Sequence, residues 1–157
     1  MLSANSLKNI DAAVAKYPAE QKRSAVMAAL TIAQDEKGWL SDETMAFIAS
    51  YLSMAAVAVR EVATFYTMYN LAPTGKHKIT ICTNLPCALS GANGAADYLK
   101  KKLGIGFNGT TLDGQFTLKE GECFGACGDA PVCLLNNKHM LSFMSNDKID
   151  SLLAELK

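Results

Sequence analysis

The sequence predicts an α+β fold in which an N-terminal helical bundle precedes a mixed α/β domain. Residues 1–70 contain 15 of the 23 alanines, one of the 11 glycines and no cysteine, whereas residues 71–157 contain the other glycines and all five cysteines. Alanine-rich sequence with little glycine favours helices, while glycines and β-branched runs mark turns and strands. We therefore predict a helical domain over residues 1–72 and an α/β domain over residues 73–157, with Pro73 and Gly75 as breakers between them.

Four helices are predicted in the N-terminal part. They are expected from Leu7 to Lys16, from Ala19 to Lys37, after a cap at Ser41, and from about Ala56. Pro18 ends the first helix, and Gly38 supplies a C-terminal stop for the second. Because helices this short bury only a modest core, we expect the helical domain to dock on a partner.

The C-terminal part predicts the element order β-α-β-β-β-α. The strands are expected from Lys78 to Cys82, Phe116 to Glu120, Pro131 to Leu135 and His139 to Phe143. A helix from Ala92 to Leu103 follows the first strand, and a final helix is capped by Asn146 or Asp147. This order, in which hairpin strands follow a crossover, is typical of a small thioredoxin-like α/β sandwich.

The composition excludes several classes of function. Half of the 157 residues are hydrophobic and 19% are charged, which is too apolar for a disordered chain. The 15 basic and 15 acidic residues cancel, so the positive surface that binds nucleic acids or anionic lipids is not expected. Apolar runs fall short of the ~20 residues that span a membrane, and the N-terminus lacks an apolar signal segment. We expect a soluble, intracellular protein without membrane insertion.

Four of the five cysteines form two pairs that point to a metal site. Four residues separate Cys82 from Cys87, three separate Cys123 from Cys127, and each pair begins at the end of a predicted strand. Two such loops at one edge of a sheet would bring four thiolates together, which suits a soft metal or an iron–sulfur cluster. Structural zinc also fits these spacings, so zinc and iron–sulfur both remain open on spacing alone. A disulfide is not expected in a reducing compartment, and neither pair is the C-x-x-C of a redox dithiol.

The remaining cysteine and the two histidines are not expected at this site. Cys133 lies in an apolar strand and is interpreted as a buried core residue, with a substitute ligand as the alternative. His77 and His139 form no Cys-x-His pair of the kind a Rieske centre uses. The second loop is rich in glycine and alanine, so its backbone N–H groups can point at cluster sulfurs and stabilise negative charge.

Four segments of the chain resemble one known family in order and spacing. They are residues 33–41 (AQDEKGWLS), 61–70 (EVATFYTMYN), 82–87 (CTNLPC) and 123–128 (CFGACG) followed by Ala130-Pro131. Together they look like the small thioredoxin-like [2Fe–2S] subunit of bacterial respiratory NADH:quinone oxidoreductase, complex I. The resemblance implies one [2Fe–2S] cluster, with Cys82, Cys87, Cys123 and Cys127 matching the four ligands of the family.

The resemblance also implies a partner and a location. Family members dock on a flavoprotein subunit that binds FMN and NADH, and their cluster exchanges electrons with that flavin. No catalytic residue and no turnover are expected from this chain alone, since only the complex oxidises NADH. The aromatic residues Phe65, Tyr66 and Tyr69 are interpreted either as core packing or as a contact patch for the flavoprotein. The location implied is cytoplasmic, peripheral on the inner membrane through the complex.

Two alternatives remain beside this interpretation. Similar subunits serve NAD-linked hydrogenases and formate dehydrogenases, and the present motifs distinguish these complexes poorly. A zinc-stabilised assembly module without a redox role is the alternative from a different class.

Overall fold

A computed structural model describes residues 1–156 and divides the chain into two compact units, Met1–Pro73 and a second unit that begins at Thr74. The first unit is helical and the second contains a five-stranded sheet, so the α+β prediction is confirmed. In the described part of the chain, no helix is long and apolar enough to cross a membrane.

The helical unit contains four α-helices around one apolar core. They are α1 (Ala4–Val14), α2 (Val26–Lys37), α3 (Asp42–Leu52) and α4 (Ala56–Phe65), with a 3₁₀ segment at Ala19–Ala25 ahead of α2. The predicted stop at Gly38 is confirmed by its left-handed φ of 79°. The predicted cap is also confirmed, since the hydroxyl of Ser41 accepts a hydrogen bond from the Thr44 N–H at 3.1 Å.

Three helix boundaries in this unit differ from the prediction. The first helix begins at Ala4 rather than Leu7, because the Ser3 hydroxyl accepts from the Ser6 N–H at 3.2 Å and caps it earlier. It also ends at Val14 rather than Lys16. The second predicted helix is interrupted near its start, where Gln21 has the non-helical angles φ −114° and ψ 27°.

The second unit is built on a mixed sheet. Its elements are β1 (His77–Cys82), α5 (Leu85–Leu89), α6 (Ala92–Leu103), β2 (Gly109–Thr110), β3 (Phe116–Gly121), β4 (Cys133–Leu135), β5 (His139–Leu141) and α7 (Asn146–Glu155), with a 3₁₀ turn at Cys127–Asp129. The strand order is β2-β3-β1-β4-β5, in which β1 and β3 are parallel and the other pairs are antiparallel.

One face of this sheet is covered by two helices. Ile79 and Ile81 of β1 pack with Leu99 of α6 and with Ile149 and Leu153 of α7 in one buried cluster. Because side chains alternate along a strand, the even-numbered residues of β1 point to the other face. The sequence did not anticipate α5 or β2, and α7 is capped by Ser145 rather than Asn146 or Asp147.

Candidate metal centre

The two cysteine loops leave the sheet at the same edge. Cys82 is the last residue of β1 and lies in register with Gly121, the last residue of β3. Because the two strands are parallel, the backbone leaves both of them at the same end of the sheet. Cys123 follows only two residues beyond β3. The pairing of β1 with β3 therefore places the beginning of both cysteine loops side by side.

A short helix turns the second cysteine of the first loop inward. The five-residue helix α5 places Cys87 in the interior while Leu85 and Leu89 point outward. Cys82 and Cys87 are both buried and pack with Ala92 and Val132, against which Phe124, Ala126 and Ala130 are also packed. The first pair of thiols therefore lies in an apolar pocket from which water is largely excluded.

The structure brings three of the predicted site residues together. The thiol of Cys87 is a close neighbour of those of Cys82 and Cys127, which belong to different loops. Burial is the main cause that raises the pKa of Cys87 to about 12, and the contacts with Cys82 and Cys127 raise it further.

Cys123, the first cysteine of the second loop, lies at the exposed rim of the site. Both Cys123 and Cys127 are exposed, and the Cys123 Sγ accepts a hydrogen bond from the Gly125 N–H at 3.3 Å. Gly125 makes this contact with a left-handed φ of 72°, a conformation that glycine adopts without strain. Among residues 1–156, no three His, Cys, Asp or Glu side chains are arranged to hold a single metal ion.

Cys133 and the two histidines lie elsewhere. Cys133 pairs with Ile81 across the sheet and is fully buried in the core beneath α6 and α7, on the face opposite to Cys82. Burial raises the pKa of its thiol to about 12. His77 is the first residue of β1, at the end of the strand opposite to Cys82, and His139 lies on the outer strand β5.

Sequence reasoning missed the role of Gly121, which leaves room for an aromatic ring of the second loop. A Cβ atom at Gly121 would lie 2.5 Å from Cζ of Phe124 and 2.7 Å from Cγ2 of Thr80. The Phe124 ring therefore rests directly on the Gly121 backbone, and only glycine leaves room for it. The available signal was a glycine at a strand end three residues before an aromatic residue, which is too common a pattern to interpret alone.

Acidic residues near the site are tied into hydrogen bonds. The Thr83 hydroxyl, next to Cys82, donates to Oε1 of Glu120 at 2.6 Å and joins the first loop to β3. In the second loop, the Ser142 hydroxyl donates to Oδ2 of Asp129 at 3.0 Å, and the Phe143 N–H donates to the Asp129 carbonyl at 2.8 Å. These contacts tie the first loop to β3 and the second loop to the segment after β5.

A protein-family match identifies the cofactor of this chain. A family model described as thioredoxin-like [2Fe-2S] ferredoxin matches residues 10–157. The chain belongs to the thioredoxin-like [2Fe–2S] ferredoxin family. The cofactor is accordingly one [2Fe–2S] cluster, and the predicted family resemblance and thioredoxin-like fold are confirmed.

Curated relatives within this ferredoxin family match along most of their length, and each is named as a subunit of NADH-quinone oxidoreductase. The relative from Rickettsia prowazekii is 44% identical over 136 residues, covering 84% of this chain and 77% of the relative. The relative from Rickettsia conorii is 40% identical over 154 residues, covering 96% of this chain and 92% of the relative. The relative from Thermus thermophilus is 38% identical over 143 residues, covering 91% of this chain and 79% of the relative.

A solved structure shares the fold of this ferredoxin-family chain. A crystal structure of a NAD⁺-reducing [NiFe]-hydrogenase in the H2-reduced state superposes with a TM-score of 0.69 at 18% sequence identity. The match covers 81% of this chain and 22% of the hydrogenase chain, so this chain spans about a fifth of that neighbour's length. At this identity the likeness concerns the fold.

Replacing Gly121 by alanine should destabilise the second unit. The new methyl group would displace the Phe124 ring, and such overpacking costs about 1–3 kcal/mol of unfolding free energy. Urea unfolding of the full chain measures the change. Gly106→Ala is the matched control, because a Cβ atom there has open space around it. Adding Phe124→Leu to Gly121→Ala should recover part of the loss, whereas equal stability of Gly121→Ala and wild type would contradict the packing described.

Proposed function

We propose that this chain is the electron-transfer subunit of an NADH:quinone oxidoreductase and exchanges electrons with the FMN of a flavoprotein partner. The observation that carries the proposal is that relatives 38–44% identical over most of the chain are named as subunits of NADH-quinone oxidoreductase. The hydrogenase alternative rests on a neighbour with 18% identity and is correspondingly weaker. In the intact complex the chain would lie on the cytoplasmic side of the inner membrane, as a peripheral subunit.

We infer that Cys82, Cys87, Cys123 and Cys127 hold the cluster. The chemistry of this donor set fits the group, because four soft thiolates are the usual ligands of a [2Fe–2S] cluster. The contact of Cys87 with both Cys82 and Cys127 supports ligation across the two loops. Cys123 begins the second loop at the same sheet edge, and we propose it as the fourth ligand because the glycine-rich segment that follows it leaves its thiol accessible.

The residues around the four thiols have separate tasks at this centre. The cluster, when bound, supplies reversible one-electron transfer. The backbone N–H of Gly125 already donates to the Cys123 sulfur, and such donors stabilise added negative charge. Val132, Phe124 and Ala92 keep water from the buried pair of cysteines. Cys133 takes no part, because its side chain lies on the opposite face of the sheet.

The surface beside the cysteines is suited to a permanent protein contact. Residues 83–96 contain no charged side chain, and neither do residues 123–128, although 19% of the chain is charged. Leu85 and Leu89 are 72% and 82% exposed within this segment. Interface cores are depleted of charge, whereas charged surfaces serve to accelerate transient encounters. We therefore propose that this surface docks on the flavoprotein and brings the cluster within electron-transfer distance of its flavin.

The helical unit offers a second contact, which corrects one expectation. Phe65 is 77% exposed and stacks edge-to-face on exposed Tyr66 with ring centroids 5.0 Å apart. Tyr69 is only 3% exposed, and its hydroxyl donates to the Met27 carbonyl at 2.9 Å. Tyr69 is therefore a core residue rather than part of a contact patch, and the proposed patch for the flavoprotein is reduced to Phe65 and Tyr66.

Cysteine substitutions test the ligand set. Cys82→Ser and Cys127→Ser should each lose most of the cluster, because a hydroxyl is a much poorer ligand than thiolate for iron in such a cluster. Cys133→Ala should keep the cluster and lose about 1–2 kcal/mol of stability from the small cavity it leaves. Visible absorption and acid-labile sulfide per chain report the loading. A full cluster in Cys127→Ser, or its loss in a folded Cys133→Ala, would contradict the assignment.

Electron transfer from NADH tests the partner. The cluster of the isolated chain should stay oxidised with NADH alone and become reduced once the flavoprotein subunit is added. Leu85→Ser/Leu89→Ser should weaken binding of the flavoprotein at least tenfold and slow cluster reduction, because large exposed apolar side chains are lost from the interface.

The matched control for this variant is Leu112→Ser. Leu112 is fully exposed but lies in the turn before β3, at the sheet edge opposite to the cysteine loops. Its substitution should leave binding unchanged. Reduction of the isolated chain by NADH, or equal binding by the double variant and wild type, would contradict the proposal.

A further inference from the structure

The face of the sheet opposite α6 and α7 carries two lysines, Lys78 and Lys119, and reaches the proposed cluster site at Cys82. Register places Lys78 beside Thr117, Thr80 beside Lys119 and Cys82 beside Gly121. Residues in register on parallel strands share a face, so Lys78, Thr80, Cys82 and Lys119 lie together. We name these four residues the lysine face.

A close contact confirms that arrangement. A Cβ atom on Gly121 would meet Cγ2 of Thr80, so the side chain of Thr80 and that position of β3 point the same way. The charge on Lys119 also lowers the pKa of Lys78, in agreement with the register. Burial is the larger cause and lowers the pKa of Lys78 to about 8; burial also lowers the pKa of Lys119.

Lys119 is the lysine of this face that lies nearer to the cluster site. Lys119 and Cys82 are diagonal neighbours on adjacent strands, with Cα atoms about 8 Å apart on ordinary sheet geometry. Lys78 is four residues from Cys82 on the same strand, about 13 Å away. The Phe124 ring of the second cysteine loop rests on Gly121, next to Thr80 of the lysine face, and an apolar ring in that place excludes water that would screen charge.

We propose that the positive charge of Lys119 raises the reduction potential of the cluster by stabilising its reduced form across the lysine face. The proposal rests on the proposed function and its ligand set. A cluster held by four thiolates gains one negative charge with each electron accepted, so a fixed cation nearby favours the reduced form. One electron is added to the cluster, and no bond of the chain is formed or broken. Lys119 acts on the cluster through its electrostatic field and is not a catalytic residue.

The expected size of the effect follows from distance. A unit charge about 10 Å away, at an effective dielectric constant of about 20, changes the equilibrium constant for reduction of the cluster on the order of tenfold. For a one-electron couple, tenfold corresponds to ~59 mV. Removal of the charge should therefore lower the midpoint potential by about that amount, and removal of the Lys78 charge, about 13 Å away, should lower it by about three quarters as much.

A redox titration of the cluster-loaded full chain with dithionite, followed by electron paramagnetic resonance, tests the proposal. Lys119→Gln keeps a hydrogen-bond donor but removes the charge, and should lower the midpoint potential. Lys119→Arg keeps the charge and should titrate close to wild type. Lys78→Gln, on the same face, is the matched control for distance and should give the smaller shift. If Lys119→Gln does not fold, Lys119→Met, which keeps the apolar stem, takes its place.

The outcomes separate this proposal from the one on which it rests. A wild-type chain without a reducible cluster would contradict the proposed function. A wild-type cluster whose potential is unchanged in Lys119→Gln would overturn the role of Lys119 and leave the cluster assignment standing. An equal decrease in Lys119→Gln and Lys119→Arg would also overturn it, because the charge would then not be the cause.

Discussion

The parallel pairing of β1 with β3 is the constraint on which the centre depends. Parallel strands run off a sheet in the same direction, so Cys82 and the segment after Gly121 emerge side by side although they are far apart in sequence. The crossover through α5 and α6 makes this pairing possible, and α6 with α7 buries one face of the sheet. Without this register the two cysteine pairs would have no common edge at which to meet.

The sheet separates three environments, which are an apolar face, a face with two lysines and an uncharged loop region. The apolar face beneath the helices contains Cys133, which is kept from the centre by the alternation of side chains. The lysine face carries positive charge toward the site, and the loop edge between the two faces is free of charged side chains over residues 83–96. A neutral chain can in this way combine an uncharged surface, which we propose as the docking site, with positive charge on a buried face of the sheet.

Most of the fold could be predicted from the sequence, because helix caps and stops act on residues close to them in the chain. Gly38 and Ser41 act on the nearest turn of helix, and the helix Ala92–Leu103 was predicted with its observed bounds. The errors arose where a distant contact decides the outcome. The burial of Tyr69 depends on the Met27 carbonyl, which lies 42 residues away. Strand β2 consists of two residues and exists only through its pairing with β3.

The candidate site was likewise predictable in part. Cysteine spacing indicated two loops and one edge, but spacing alone could not distinguish zinc from iron–sulfur, and family membership decided the question. The contact of Phe124 on Gly121 leaves only a glycine-to-aromatic spacing in the sequence, which is too common to interpret alone.

The claim that this chain holds one [2Fe–2S] cluster is tested most directly by iron and acid-labile sulfide analysis of the purified full chain. We predict two irons and two sulfides per chain, whereas one zinc without sulfide would contradict the cluster assignment.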